Sequence, residues 1–449
     1  MSKNTKLFGT SGIRGKVKTE VNANLALNVG KSLATYLNNE GTVVIGYDTR
    51  TTNKMLECAI ISGLMESGVD VIRIGMVPTP LVGYATIKLK ADAGIMLTAS
   101  HNPSQYNGIK LWNSNGMAYT PSQENEIEDI YYNKKYNSVE WDSIGNLEYN
   151  EEIKKEYIND LIEKTDIDKK LKVVIDTASG AGSELSPLVF RKIGCEVITL
   201  NSQKDGFFPG RKPEPNEDNL KDLMKMVVST GADLGIAHDG DADRMMAIDD
   251  KGRISDFDKL LSIISKFYGG TVITTVDSGL CMDEEMDKVN GKVIRTKVGD
   301  VAVAEAINKN NASFGGEPSG TWIHPDFCMC PDGLLSGLKI AEIVSKYGPL
   351  SKLLDEIPTY CTIRDKITCS KEDKIKIMNN IEDSITETFD NIKDINTIDG
   401  IRLTFNNGSW VLIRPSGTED YIRITLEGKD TENAKNIHNK SVSLIKNIL

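Results

Sequence analysis

The chain has 449 residues, too many for one ordinary hydrophobic core, and length alone predicts about three domains. Its 64 acidic residues outnumber 53 basic ones, and the net charge of −11 excludes a nucleic-acid partner while leaving room for a small anion at a local arginine cluster. With 39% hydrophobic and 26% charged residues, no apolar run approaches the roughly 18 needed to cross a bilayer, and Met1-Ser2-Lys3-Asn4-Thr5-Lys6 lacks the apolar core of a secretory signal. A cytoplasmic chain without a membrane partner is expected.

In chain order, Phe8-Gly9-Thr10-Ser11-Gly12-Ile13-Arg14-Gly15 comes first, offering hydroxyls and an arginine between glycines. It reads either as a flexible leader or as an anion-facing loop. The β-branched run Thr42–Tyr47 ends in Asp48-Thr49-Arg50 and predicts a buried strand, followed by a helix over 53–67 and a strand over 69–75. The same plan recurs twice. Leu171–Asp176 leads into Ser179-Gly180-Ala181-Gly182, a helix over 184–193 and a strand over 195–200; Gly270–Gly279 leads into a short helix and the strand Lys292–Thr296. Continuous apolar strands covered by helices on both faces are those of a mostly parallel sheet, so three related α/β units in series are predicted. The end of the chain differs. A helix over 371–389 precedes strands over 400–405, 410–414 and 421–426, with Asn406-Asn407-Gly408 as a hairpin turn, and a last helix places Ala434, Ile437, Leu444, Ile445 and Ile448 on one stripe. This is an α+β unit with an antiparallel sheet. The boundaries read as 1–150, 151–250, 251–365 and 366–449.

Several loops carry chemistry. Thr98-Ala99-Ser100-His101-Asn102-Pro103 follows the strand Ala93–Leu97, at the sheet edge where α/β proteins bind ligands. Ser100 there is either a phosphoryl-accepting hydroxyl or part of a turn bonded to its own backbone. In His238-Asp239-Gly240-Asp241-Ala242-Asp243-Arg244, carboxylates at i, i+2 and i+4 in extended backbone would project to one side and need a cation. Oxygen-only ligands favour magnesium. A calcium loop of the EF-hand kind is excluded by Gly240 between the first two aspartates and by Asp250 at the twelfth position, leaving a solvated acidic turn as the other reading. In Gly315-Gly316-Glu317-Pro318-Ser319-Gly320, Glu317 and Ser319 could bond vicinal hydroxyls, or the segment is a plain connector. Arg414-Pro415-Ser416-Gly417-Thr418-Glu419, with Arg423 on the next strand, reads as a phosphate cradle or a hairpin connection. The seven cysteines are scattered; Cys328 and Cys330 lack a further Cys/His pair to complete a metal clip, and reduced, buried thiols are expected.

Together these motifs resemble the α-D-phosphohexomutase family over the whole chain, in the family's order and at its usual spacing. The resemblance implies three related α/β domains with mixed, mostly parallel sheets and a smaller fourth domain around a central cleft. It implies an intramolecular phosphotransferase acting on a hexose or hexosamine monophosphate through a phosphoserine and a bound bisphosphate. Ser100 matches the phosphorylated serine, and Asp239, Asp241 and Asp243 match the Mg2+ ligands, completed by the phosphoserine oxygen. Glu317 and Ser319 match sugar contacts; Arg414, Ser416, Gly417, Thr418 and Arg423 match the site of the non-reacting phosphate. Arg14 and Lys110 match cations beside the reacting oxygen, and Lys110 as a general base would need a pKa lowered by neighbouring cations. Thr10, Ser11, His101 and Arg244 complete the expected site. Leu7–Gly15 and Val298-Gly299-Asp300 are most similar to the archaeal-type phosphoglucosamine mutase group, with a glucose/mannose phosphomutase as the alternative. Pro318 and Thr321 depart from the usual pattern, the latter where a histidine often stands; the displaced His324 is given no role. A non-enzymatic sugar-phosphate sensor is the third reading.

Overall fold

The computed structural model describes residues 6–9, 11–416 and 420–449. Four sheets follow one another along the chain, the first three being variations on one plan. The first holds β1 (Ile13–Lys16), β2 (Thr42–Tyr47), β3 (Asp70–Met76), β4 (Ala93–Leu97), β5 (Tyr106–Asn113) and β6 (Leu147–Tyr149), in the order β1-β5-β4-β2-β3-β6. The second holds β7 (Lys172–Asp176), β8 (Glu196–Leu200), β9 (Leu234–His238) and β10 (Met245–Ile248), ordered β10-β9-β7-β8. The third holds β11 (Thr271–Thr275), β12 (Lys292–Thr296), β13 (Phe314–Gly316), β14 (Trp322–His324) and β15 (Cys328–Pro331), ordered β12-β11-β13-β14-β15.

Each unit has a parallel trio with the first strand in the middle: β4-β2-β3, β9-β7-β8 and β13-β11-β12. In each, the third strand turns back into an antiparallel neighbour, β5, β10 or β14. The Ser100, Asp239–Asp243 and Glu317–Ser319 loops are those three turns. Three motifs far apart in sequence therefore occupy one topological position, at the carboxyl ends of parallel strands.

The fourth sheet is antiparallel throughout: β16 (Cys361–Thr368), β17 (Ile392–Asn396), β18 (Ile401–Phe405), β19 (Trp410–Pro415) and β20 (Tyr421–Gly428), ordered β16-β20-β19-β18-β17. Helices Lys371–Thr388 and Thr431–Ile448 cover it. The predicted stripe is the packing face, with Ala434, Ile437, Leu444 and Ile445 buried and Ile448 against them. One continuous core, from Val44 to Ile357, runs through the first three units, whereas the fourth has its own. Among the described residues no helix is long and apolar enough to cross a membrane. Cys328 and Cys330 are buried free thiols.

Candidate active site

Ser100 sits at the tip of the β4–β5 turn in left-handed backbone (φ 49°) and is 1% exposed. Its backbone N–H donates to Thr98 Oγ1 at 2.8 Å, and Thr98 Oγ1 in turn donates to Asp48 at 2.7 Å. The Arg50 guanidinium fills the inside of the loop. It donates to the carbonyls of Ser100 (2.9 Å), Asn102 (2.7 Å), Pro103 (2.7 Å) and Tyr106 (2.9 Å), and its Nε pairs with Asp48 at 3.0 Å. These inward-turned carbonyls converge on the one guanidinium; of them, that of Pro103 also accepts the Tyr106 N–H. Arg211 does the same in the second unit, pairing with Asp176 at 2.9 Å and donating to the His238 carbonyl at 2.6 Å.

The two loops meet face to face. Ser100 Oγ donates to Asp239 Oδ2 at 2.7 Å, and a side chain at Gly240 would come within 2.5 Å of the Ser100 carbonyl oxygen, so only glycine permits this approach. His101 Nδ1 lies 3.2 Å from Ser100 Oγ; burial and the guanidinium groups of Arg244 and Arg14 hold its pKa down at about 3, leaving it neutral.

Asp239, Asp241 and Asp243 are all buried, and one carboxylate oxygen from each lies within 4.8 Å of the others. The backbone there is a turn rather than the extended strand expected from the spacing, with Ala242 in left-handed conformation (φ 58°). The turn, not strand alternation, brings the carboxylates together. Lys110 donates to Asp241 at 2.9 Å and Asp243 at 2.7 Å, and Thr79 Oγ1 donates to Asp241 at 2.6 Å. Burial and the charges of Asp241 and Asp243 push the Asp239 carboxyl well above its ordinary range. Burial also opposes charge on Asp241, but Lys110 and the Thr79 hydroxyl outweigh it and hold that carboxyl low. One lysine against three carboxylates leaves an excess of negative charge, and buried Asp241 Oδ1 and Asp243 Oδ1 have no hydrogen-bond partner among the described residues. Converging, unsatisfied carboxylate oxygens fit a hard divalent cation.

The expected depression of the Lys110 pKa is reversed. Burial lowers it, but Asp241 and Asp243 outweigh burial and the smaller opposing effect of Arg14, so the ammonium is held above its ordinary value. Proximity to carboxylates decides the sign.

The third unit abuts the second. Gly320 has φ 81°, and a Cβ there would lie 2.3 Å from the Met245 carbonyl oxygen, while Arg244 and Thr321 form an antiparallel bridge. Glu317 Oε1 accepts from the Gly299 N–H at 2.6 Å, and Ser319 Oγ lies 3.4 Å from Glu317 Oε2. Burial, then the charges of Asp300 and Asp277, raise the Glu317 carboxyl to about 7. His324 is buried between Tyr268 OH (2.7 Å) and Ser336 Oγ (2.9 Å), a core histidine outside the cleft.

In the fourth unit, Arg414 and Arg423 are direct cross-strand partners on β19 and β20. Like charges placed opposite each other destabilise a sheet unless an anion joins them. Arg414 Nε pairs with Asp399 at 2.9 Å, and Asp399 accepts from the Val298 N–H at 3.1 Å, tying the pair to the third unit. A cleft of about 290 Å³ collects these features; Ser100, Arg14, Arg244, Glu317, Arg414 and Arg423 all line it. Ser11, His101 and Ser416 line it too. Ser319 and Lys110 do not line it but each touches a residue that does, Glu317 and Asp243 respectively. Thr10, Gly417 and Thr418 lie outside the described residues. Sequence reasoning missed Arg50, Arg211, Thr79 and Glu214, the last of which lies 3.4 Å from Arg244 and 3.6 Å from His101. Asp48-Thr49-Arg50 at a strand end was the one available signal.

Three copies of one α/β unit and an antiparallel fourth, all turned toward one polar cleft, define an enzyme of the phosphohexomutase class, an intramolecular phosphotransferase. The chain belongs to the phosphoglucomutase/phosphomannomutase family: models of its alpha/beta/alpha domains I, II and III match residues 5–138, 149–252 and 256–360, and that of its C-terminal domain matches 366–442. It is 69% identical to a Methanobrevibacter smithii protein named "Probable phosphoglucosamine mutase", over 98% of each chain. It is 46% identical to the "Phosphoglucosamine mutase" of Methanococcus maripaludis, again over 98% of each. Among solved structures, a phosphoglucomutase/phosphomannomutase family protein from Burkholderia thailandensis superposes with a TM-score of 0.90 at 25% identity, covering 99% of this chain and 97% of that one.

Proposed function

We propose that this chain is a phosphoglucosamine mutase, interconverting glucosamine 6-phosphate and glucosamine 1-phosphate through phosphorylated Ser100 and a bound bisphosphate. The observation that carries the reading is the cleft itself: Ser100 Oγ, 2.7 Å from Asp239, faces a pair of arginines held side by side on another unit. The sugar assignment draws on relatives of that name matched over nearly the whole chain.

In this reading residues 1–150 carry the serine, 151–250 the aspartates, 251–365 the sugar contacts and 366–449 the phosphate site. Arg414, Ser416 and Arg423, with Gly417 and Thr418, grip the phosphate that does not react. Glu317 and Ser319 orient the sugar hydroxyls. The phosphoryl group on Ser100 passes to the free hydroxyl: its bond to Oγ breaks, a bond to the sugar oxygen forms, and in net balance the hydroxyl proton replaces the phosphoryl group on Oγ, regenerating the serine hydroxyl. The bisphosphate turns, and its other phosphoryl group returns to Ser100. Arg14 and Arg244, with Ser11 lining the same cleft and Thr10 as a further expected contact, balance charge on the transferring oxygens. Lys110 stays charged, and so acts as a positive charge and proton donor rather than as a resting base. Asp239, Asp241 and Asp243, with an oxygen of phosphorylated Ser100, would hold Mg2+, which supplies charge neutralisation at the phosphoryl group when bound.

Intact mass spectrometry tests the carrier: one added phosphate is expected on the wild type and none on Ser100→Ala, whose mutase rate should fall at least about 10³-fold. An unchanged rate would overturn the mechanism. Preference for glucose 1-phosphate or mannose 1-phosphate by orders of magnitude over glucosamine 1-phosphate would overturn the sugar assignment.

A further inference from the structure

The cleft is lined by Arg14, Arg244, Arg414 and Arg423, yet it also admits a carboxylate, Asp300, that forms no ion pair among the described residues. Asp300 is the first residue of helix Asp300–Asn310, the connection from β12 to β13, and it lines the same cavity as Ser100. Among the described residues no lysine, arginine or histidine comes within ion-pair distance of it. Lys110 and, more weakly, Arg14 act on it from beyond that distance, and nearby cations pair with other carboxylates: Lys110 with Asp241 and Asp243, Arg244 with Glu214, Arg414 with Asp399.

The position is used for site chemistry elsewhere in the molecule. In the first unit the equivalent connection, β3 to β4, is helix Thr79–Lys88, and its first residue donates its hydroxyl to Asp241. The first residue of this helix therefore looks into the site in both units. A carboxylate among phosphate-binding arginines weakens binding of a bisphosphate unless the ligand brings a compensating positive charge. Glucose and mannose phosphates carry none. An amino sugar phosphate carries one, the ammonium at C2. Glu317, whose Oε1 is occupied by the Gly299 N–H directly before Asp300, places a second carboxyl beside the same stretch of backbone.

We propose that Asp300 recognises the 2-ammonium group of the hexosamine monophosphate and sets the preference for it over neutral hexose phosphates. This rests on the phosphoglucosamine mutase reading. The bland role of Asp300 is electrostatic support of its helix N-terminus, which would be blind to the sugar.

The test is kcat/KM for glucosamine 1-phosphate and for glucose 1-phosphate, measured on wild type, Asp300→Asn and Asp300→Glu. The wild-type ratio should favour glucosamine. In Asp300→Asn that ratio should fall at least about tenfold, the loss of one charged contact, and Asp300→Glu should recover part of it. If wild type prefers glucosamine but Asp300→Asn leaves the ratio unchanged, whether both sugars suffer equally or neither does, Asp300 is structural and this inference alone fails. If wild type shows no preference for glucosamine, the sugar assignment fails and takes the inference with it. Should Asp300→Asn fold poorly, Asp300→Ser, also uncharged and polar but smaller, reads the same ratio.

Discussion

The junction of the first and second units and the junction of the third and fourth are built on opposite principles. At the first, the reacting loops touch directly: Gly240 lies under the Ser100 carbonyl, Lys110 crosses to two aspartates, and the apolar core continues beneath. At the second, the fourth unit keeps a separate core, and the apolar contact is a small cluster of Val276, Trp410 and Leu412 with Leu280 and Val298 around it. Polar contacts reinforce it. Buried Arg402 stacks on Trp410 at 4.0 Å and donates to the Val276 and Ser278 carbonyls, and Glu427 accepts from the Leu280 N–H at 2.8 Å. The serine and aspartate loops are thus fixed relative to one another, while the arginines of the fourth unit are carried on this smaller contact. In the proposed reading, that division would suit an intermediate that turns over between two transfers.

The contrast can be broken from either side. Lys110→Met should have the largest effect, because it strands buried Asp241 and Asp243 without their counter-charge; a loss of about 3–5 kcal/mol is expected in denaturant melts, together with loss of activity. A loss below about 1 kcal/mol would mean that the first junction is not held by charge. Trp410→Ala should cost about 3–5 kcal/mol, but locally. Hydrogen exchange should quicken in β18–β20 while β4 and β9 keep their protection; uniform quickening would show that the fourth unit is not energetically separate.

The smallest effect concerns pH. Asp258 lies at the second junction, accepting the Gly279 N–H at 2.6 Å, and burial first, then the charge of Glu427 and Asp256, raise its pKa to about 7. Because the folded carboxyl keeps its proton to a higher pH than the unfolded one, stability falls as pH rises from about 4 to about 7 and levels off above that. The slope from this one group is on the order of 3 kcal/mol across the window. Asp258→Asn should flatten the profile relative to wild type, and identical profiles would remove Asp258 from the account.

The repeat, the strand-end position of each motif and the antiparallel fourth unit were legible in the sequence, because β-branched runs and glycine turns report local backbone preference. Ser100 and the three aspartates were legible for the same reason, being local patterns. What supports them was not. Thr79 reaches Asp241 across 162 positions with no distinctive local context, and Arg50 reaches Ser100 across 50, its strand-end Asp48-Thr49-Arg50 giving no hint of the partner. The sign of the Lys110 shift was lost likewise, since it depends on which charges the fold brings nearest. The triplet spacing suggested an extended strand, whereas left-handed Ala242 makes a turn of it.

Arg414 facing Arg423 across β19 and β20 sets two like charges side by side in the fourth sheet; among the described residues, Asp399 pairs with Arg414, and Arg423 donates to the Tyr421 hydroxyl. If the proposed phosphate site is right, the substrate's phosphate would be a structural member of that sheet as well as a cargo. Occupancy and cohesion of the fourth unit would then rise together, each bound sugar phosphate tightening the strands that hold it.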